Sequence, residues 1–345
     1  MKTLLLKVNP HRPKPSLIKQ AAKIIRRGGL VAFPTETVYG LGANALSEEA
    51  VAKIFKAKQR PANDPIIVHI ASKEDIHLVA DEIPAKAYEL IQRFWPGPLT
   101  LVLPKSEKIP NIVTAGLPSV GVRMPKCEVA LELIKMAGVP IAAPSANLFG
   151  RPSPTRAEHV LKDLEGKVEI IIDGGSTEVG VESTVLDITT NTILRPGGIS
   201  RESLEEVLGE VSVFKVTKDS FEALRSPGMM KRHYAPRAKV LFFVGEKELM
   251  ITRMKERTSA LTKQGMKVGV MVPDEYLRHF DKSLLLKGLG PSEDLTTIAK
   301  NLFSTMRSLD EEGVDFILTI GLSKEGLGLA IFDRLLKAAG SEVIK

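Results

Sequence analysis

The chain has 345 residues, 43% of them hydrophobic and 26% charged, with a formal net charge of +7. This is more material than one ordinary core uses, so two domains are the first expectation. No apolar run reaches the roughly 18 residues that a membrane-spanning helix needs, and a single cysteine, Cys127, excludes an intramolecular disulfide or a cysteine-based metal cluster.

The charge is unevenly spread. Residues 1–150 hold 20 Lys and Arg against 12 Asp and Glu, whereas residues 151–345 hold 28 against 29. A basic first part suits a nucleotide, an RNA or simply a solvated surface, and charge alone leaves all three open.

Along the chain, the apolar stretch in Met1–Lys7 is too short for a secretory signal, and a cytoplasmic location is expected. Leu17, Ile18, Ala21, Ala22, Ile24 and Ile25 keep helical spacing, with Gly28-Gly29 as the stop. Leu30–Phe33 reads as a buried strand running into Pro34-Thr35-Glu36-Thr37. A helix from Ser47 follows, acidic in its first turn and closed at Arg60-Pro61. Ile66–Ile70, Leu99–Leu103, Ser119–Met124 and Ile141–Ala143 read as strands; Pro84–Trp95 and Glu128–Ala137 read as helices. Thr155 and Glu158 have the spacing of a capping box opening another helix. Strands near 168–173, 184–188 and 192–195 complete the first region.

Periodicity fails over 217–238, which reads as a linker. Beyond it, strands at 240–244, 267–272 and 315–321 alternate with helices near 246–264, 293–311 and 325–339, the pattern of a doubly wound parallel sheet. The expected division is a domain at 1–216, a linker at 217–238 and a smaller domain at 239–345.

Familiar motifs do not account for this chain. It has no Walker-type phosphate loop and no G-x-S-x-G elbow. Gly40-Leu41-Gly42-Ala43-Asn44-Ala45 matches a dinucleotide fingerprint but lies in the wrong place between strand and helix. The six histidines lack zinc-ligand spacing.

What remains is a set of polar residues at strand ends, where open α/β sheets bind ligands. Thr35, Glu36 and Thr37 follow one strand, Ser145 and Asn147 another, and Ser183 and Thr184 follow Asp173-Gly174-Gly175. Hydroxyls and amides hold small polar molecules, but they also build turns. Lys58 and Arg60 close a helix, while Arg123 and Arg195 sit among apolar strand residues. A buried arginine needs an anionic partner, either a structural carboxylate or a bound phosphate or carboxylate. The residues point to a site for a small anionic, phosphorylated ligand.

Seven segments then form a pattern: F-P-T-E-T-V-Y-G-L-G at 33–42, K-Q-R-P at 58–61, I-V-H-I at 67–70, W-P-G-P-L-T at 95–100, V-R-M-P at 122–125, A-P-S-A-N at 143–147 and G-V-E-S-T at 180–184. Together they resemble the YrdC-type threonylcarbamoyl-AMP synthases over residues 10–210. S-P-G-M with H-Y-A-P, and the later G-L-G-L-A-I-F-D-R-L, resemble the longer two-domain branch of that family. The resemblance implies an α/β fold: a YrdC-like twisted mixed sheet with helices, plus a smaller doubly wound parallel-sheet domain.

It also implies an activity, the joining of L-threonine, bicarbonate and ATP to L-threonylcarbamoyl-AMP and pyrophosphate, with Mg2+ accompanying ATP. A partner transferase would then modify tRNA with N6-threonylcarbamoyladenosine. The resemblance puts Thr37, His69, Arg123, Ala143 and Ser183 around threonine. It puts Lys58, Arg60, Asp64, Ser119, Ser145, Asn147, Ser153, Arg195 and the linker's Lys231 around ATP, with Lys58 and Arg60 as catalytic cations. One departure is Asp64-Pro65-Ile66, where family members often have Asn-Pro-Leu. A carboxylate repels a triphosphate, so backbone contact is expected there. The alternatives are a non-catalytic module binding double-stranded RNA or tRNA, and a related enzyme using carbamoyl phosphate. The neutral hydroxyl set disfavours the first, and the single cysteine disfavours the zinc-finger-bearing second.

Overall fold

A computed structural model describes residues 2–214 and 233–345. These fall into two units. The first holds the described residues through Phe149 and from Ser153 to 214; the second holds Gly150–Pro152 and 233–345.

In the first unit the helices form where apolar spacing and stop signals coincide. Helix α1 (Pro15–Arg26) has proline in its first turn and buries Ile18, Ala21, Ala22 and Ile25. Helix α2 (Glu48–Lys58) is capped by Ser47, whose side chain accepts from the Ala50 amide, and ends at Gln59 in the left-handed conformation. Helices α3 (Ala85–Phe94), α4 (Asn111–Thr114) and α5 (Glu128–Ala137) follow, the last stopped by left-handed Gly138. Helix α6 (Ala157–Leu164) corrects the expected capping box. Its cap residue is Arg156, without a side-chain bond, and the Thr155 amide instead donates to His159 Nδ1 at 3.2 Å. Because the Thr155 backbone is turned toward that ring, its hydroxyl meets no helix amide. Helix α7 (Arg201–Leu208) closes the unit under a Ser200 cap.

The strands are β1 (Leu4–Lys7), β2 (Val31–Phe33), β3 (Gly40–Asn44), β4 (Val68–His69), β5 (Leu99–Pro104), β6 (Ser119–Arg123), β7 (Ile141–Ala142), β8 (Ile170–Asp173), β9 (Thr184–Asp187), β10 (Thr192–Arg195) and β11 (Ser212–Val213). They make one mixed sheet in the order β1-β8-β2-β3-β7-β4-β6-β5-β9-β10-β11. The apparent dinucleotide fingerprint is strand β3, antiparallel to β2. The apolar N-terminus is β1, parallel to β8 with Leu4 opposite Ile170. One large core joins α2 and α3 to the middle of the sheet, and a second packs α1 and α5 on Val31, Phe33, Ile141 and Ile172.

The second unit carries β12 (Lys239–Phe243), β13 (Val268–Val272), β14 (Leu285–Gly288), β15 (Phe316–Ile320) and β16 (Val343–Ile344), all parallel, in the order β14-β13-β15-β12-β16. Its helices are α8 (Lys247–Lys263), α9 (Leu295–Glu311) and α10 (Gly328–Ala339). Alternation along β12 covers both faces of the sheet. Leu241 and Phe243 cluster with Met250 and Met254 of α8, whereas Phe242 meets Phe332 of α10 edge-on at 5.1 Å. This is the expected doubly wound sheet, with β14 and β16 as edge strands that periodicity does not announce. No helix among the described residues is long and apolar enough to cross a membrane.

Gly197 is a position where only glycine fits: a Cβ there would lie 2.3 Å from Glu182 O, Ser183 C and Thr184 N. Gly197→Ala is expected to destabilise the protein by about 3 kcal/mol, read as a lowered midpoint in denaturant unfolding. An unchanged midpoint would contradict this packing.

Candidate active site

The loop between β2 and β3 folds on its own hydroxyls. Thr35 Oγ1 donates to Val38 O at 2.6 Å and accepts from the amides of Thr37 (3.2 Å) and Val38 (3.3 Å). With that proton committed, the 2.8 Å contact between the Thr35 and Thr37 hydroxyls is donated by Thr37. The far end of the loop is tied by Tyr39, whose hydroxyl donates to Gly175 O at 2.7 Å and accepts from the Gly174 amide at 3.3 Å. Burial, then the charge of Asp173, pushes the Tyr39 phenol well above its ordinary range, so it remains a donor.

Arg123 ends β6 with 3% of its surface exposed. Its Nη1 donates to Thr37 Oγ1 at 2.9 Å, its Nε to Gly97 O at 3.2 Å, and its Nη2 lies 2.6 Å from Glu36 Oε2. The last contact is an ion pair off the hydrogen-bonding angles, and both Glu36 oxygens are closed to solvent. The anionic partner that the sequence demands is therefore Glu36. His69 lies opposite Arg123 in the parallel β4–β6 register, with its ring edge-on to Phe33 at 6.4 Å. Burial first and the Arg123 charge second lower its pKa to about 3, so the imidazole is neutral. The Ala143 amide donates to Ile67 O at 3.0 Å, which places Ala143 beside the same strand.

A second group gathers around α2. Lys58 is 1% exposed, and its Nζ donates to Ser145 O and Asn147 O, each at 2.5 Å. Ser145 Oγ donates to Asn147 Oδ1 at 2.6 Å. Arg60 Nη2 donates to Pro65 O at 2.8 Å and pairs with Asp64 Oδ2 at 3.0 Å. Burial raises the Asp64 pKa, while the charges of Arg60, Lys58 and Arg195 oppose that rise. One carboxylate thus sits among three cations. The Asp64 side chain faces Arg60, whose Nε and Nη2 also donate to the Asp64 carbonyl at 3.3 Å.

Arg195 Nε and Nη2 donate to Ser183 O at 3.2 and 3.0 Å, and Nη2 also donates to Ser183 Oγ at 3.1 Å. Ser153 Oγ donates to Glu182 Oε1. The 178–180 backbone is laced to the β2–β3 loop: the amides of Glu178 and Val179 donate to Glu36 O and that of Gly180 to Thr37 O, at 2.8 to 3.1 Å.

The fold therefore brings together Thr37, His69, Arg123 and Ala143, and separately Lys58, Arg60, Asp64, Ser145, Asn147 and Arg195, with Ser183 bonded to Arg195. Ser119 lies apart from Arg123. It begins β6, roughly 13 Å along the strand from Arg123, and lines a cavity of about 380 Å³ with Val102, Pro104, Asp187 and Thr189. Lys231 lies outside the described residues. Sequence reasoning gave no role to Thr100 or Glu182, and named Glu36 only as one of the polar residues at a strand end. Glu36 carried a usable signal, a carboxylate between two threonines at a strand end.

The unit is an α/β protein in which neutral hydroxyls around a buried arginine can hold a small polar acid and a three-cation centre can hold a phosphorylated ligand. The family model for Sua5, YciO and YrdC, described as "Telomere recombination", matches residues 23–197, and that for the threonylcarbamoyl-AMP synthase C-terminal domain matches 199–340. The threonylcarbamoyl-AMP synthase of Pyrococcus abyssi is 50% identical over 95% of both chains. That of Bacillus subtilis is 46% identical over 95% of this chain and 94% of its own. The solved structure of P. abyssi Sua5 complexed with L-threonine superposes with a TM-score of 0.92 at 47% identity, covering 100% of this chain and 99% of that one. The chain belongs to the threonylcarbamoyl-AMP synthase family, in its two-domain form.

The neutral His69 has a measurable consequence. Its folded pKa of about 3 lies below the unfolded value near 6.5. Between these values the unfolded chain binds the extra proton, so stability rises with pH and falls as pH drops from 6.5 toward 3. His69→Asn is expected to flatten that fall in unfolding free energy measured across this range. An unchanged slope would show that the imidazole titrates normally in the folded protein.

Proposed function

We propose that this chain is a threonylcarbamoyl-AMP synthase, forming L-threonylcarbamoyl-AMP and pyrophosphate from L-threonine, bicarbonate and ATP. It is a nucleotidyltransferase whose product feeds a partner transferase that makes N6-threonylcarbamoyladenosine in tRNA. The observation that carries the reading is the backbone link, in one unit, between the β2–β3 loop that meets Arg123 and the segment that Lys58 holds: the Leu41 amide donates to Pro144 O and the Ala146 amide to Tyr39 O, each at 2.8 Å. Full-length likeness to proteins of that name supports it.

In this reading Arg123 receives the threonine carboxylate, with Thr37, His69, Ala143 and Ser183 around the rest of the amino acid. Lys58, Arg60, Arg195, Ser145, Asn147, Ser153, Ser119, Lys231 and the Asp64 backbone hold the nucleotide. Residues 1–216 form the catalytic domain, 217–238 the linker and 239–345 the C-terminal domain. The threonine amine and bicarbonate give a carbamate and water. A carbamate oxygen then attacks the α-phosphorus, and the bond to pyrophosphate breaks with its electron pair leaving on the pyrophosphate.

No protein nucleophile is required. The rate comes from positioning and from cations fixed before the reaction begins. Lys58 serves in both ways, since its ammonium also fixes the 145–147 backbone. Mg2+ would enter with ATP and supply charge neutralisation of the phosphates. Among the described residues no cluster of three or more His, Cys, Asp and Glu side chains forms a cage for it.

The test supplies ATP, Mg2+, bicarbonate and single amino acids and measures pyrophosphate release. Turnover is expected to need both threonine and bicarbonate, and turnover indifferent to either would overturn the function. Arg123→Lys keeps the charge but loses the planar fork that reaches three acceptors at once. It is expected to raise the KM for threonine tenfold or more while changing that for ATP less than twofold.

A further inference from the structure

Thr100 lies in β5, completely buried, and the assigned chemistry gives it no part. Its hydroxyl is 2.8 Å from Ser183 Oγ, its one hydrogen-bond partner among the described residues. The juxtaposition is built by the backbone: β5 runs parallel to β9 with Leu99 opposite Thr184, and the Thr184 amide donates to Pro98 O at 3.0 Å. Ser183, one residue before β9, is therefore held against the start of β5.

The protons can be assigned. Arg195 Nη2, 3.1 Å from Ser183 Oγ, can only donate. The Thr100 proton, buried with no other acceptor, must also go to Ser183, because leaving it unbonded costs about 1–3 kcal/mol. Ser183 Oγ thus accepts twice, and its own O–H is the one group left to donate. Arg195 meanwhile ties this hydroxyl to the three-cation centre.

We infer that Thr100 is a positioning residue that, together with Arg195, makes Ser183 an obligate hydrogen-bond donor to an oxygen of the amino-acid substrate. Its hydroxyl acts on the substrate through Ser183. The inference rests on the functional reading above, in which Ser183 faces threonine and Arg195 the nucleotide.

The test compares Thr100→Val, Thr100→Ser, Ser183→Ala and the Ser183→Ala/Thr100→Val double variant by threonine-dependent pyrophosphate release, with folding checked by thermal unfolding. Thr100→Val, nearly isosteric, is expected to raise the KM for threonine roughly five- to tenfold, the loss of one well-formed hydrogen bond, and that for ATP less than twofold. Thr100→Ser, which keeps the hydroxyl, should stay within twofold of the unaltered protein in both. The decisive arm is the double variant, whose threonine KM should match that of Ser183→Ala alone, because Thr100 has nothing to act on once Ser183 is gone. Additive losses in the double variant, or equal rises in both KM values for Thr100→Val, would overturn the inference and leave the function standing. If Thr100→Val does not fold, Thr100→Ser with a threonine KM raised as far as that of Ser183→Ala would do the same. No threonine-dependent turnover in the unaltered protein would remove the function and the inference with it.

Discussion

A guanidinium buried in a β-sheet needs hydrogen-bond acceptors and a counter-charge, and Arg123 draws two acceptors and its counter-charge from parts of the chain far apart in sequence. Glu36 and Thr37 come from the β2–β3 loop, and Gly97 O from the approach to β5. Removing one partner of such a pair leaves an uncompensated buried charge, which costs far more than the pair contributes. The geometry of the loop is consequently tied to the presence of the arginine. The Thr35 turn, the Tyr39 anchor and the lacing of 178–180 onto Glu36 and Thr37 hold the other side of the same knot.

The cations of the second centre are managed differently. Lys58 meets two backbone carbonyls, Arg195 meets the carbonyl and hydroxyl of one serine, and Arg60 pairs with a carboxylate in its own chain segment. Carbonyl partners orient a cation without cancelling its charge. This fits the proposed contact with a triphosphate.

Much of the fold was legible because its cues are local. Ser47 before an acidic turn, Gly138 after Ala137 and the apolar stripe of α1 each specify an element within a few residues. Short strands were less legible. Strand β3 is rich in glycine and alanine, and β14 and β16 are only partly buried, so none shows a strong period. The capping box at Thr155 failed because a residue four positions on, His159 in the helix's own first turns, took the amide in question. In the site, motif order marked the residue types and the buried arginines announced a need for anions. Which anion answers Arg123, and which hydroxyl faces Ser183, depends on strand register, and register between distant segments is not written in either segment alone.

The pairing of β1 with β8 sets an order of events at the ribosome. Leu4 pairs with Ile170, so the first strand made waits for one more than 160 residues later. At about 5–20 residues per second this interval is roughly ten to thirty seconds. Throughout it, a tetrapeptide strand with three apolar residues has no native neighbour, and the edge of β2 that β8 will occupy is open as well. The emerging chain therefore carries two unsatisfied strand edges for much of its synthesis, the condition under which nascent proteins most need protection from one another.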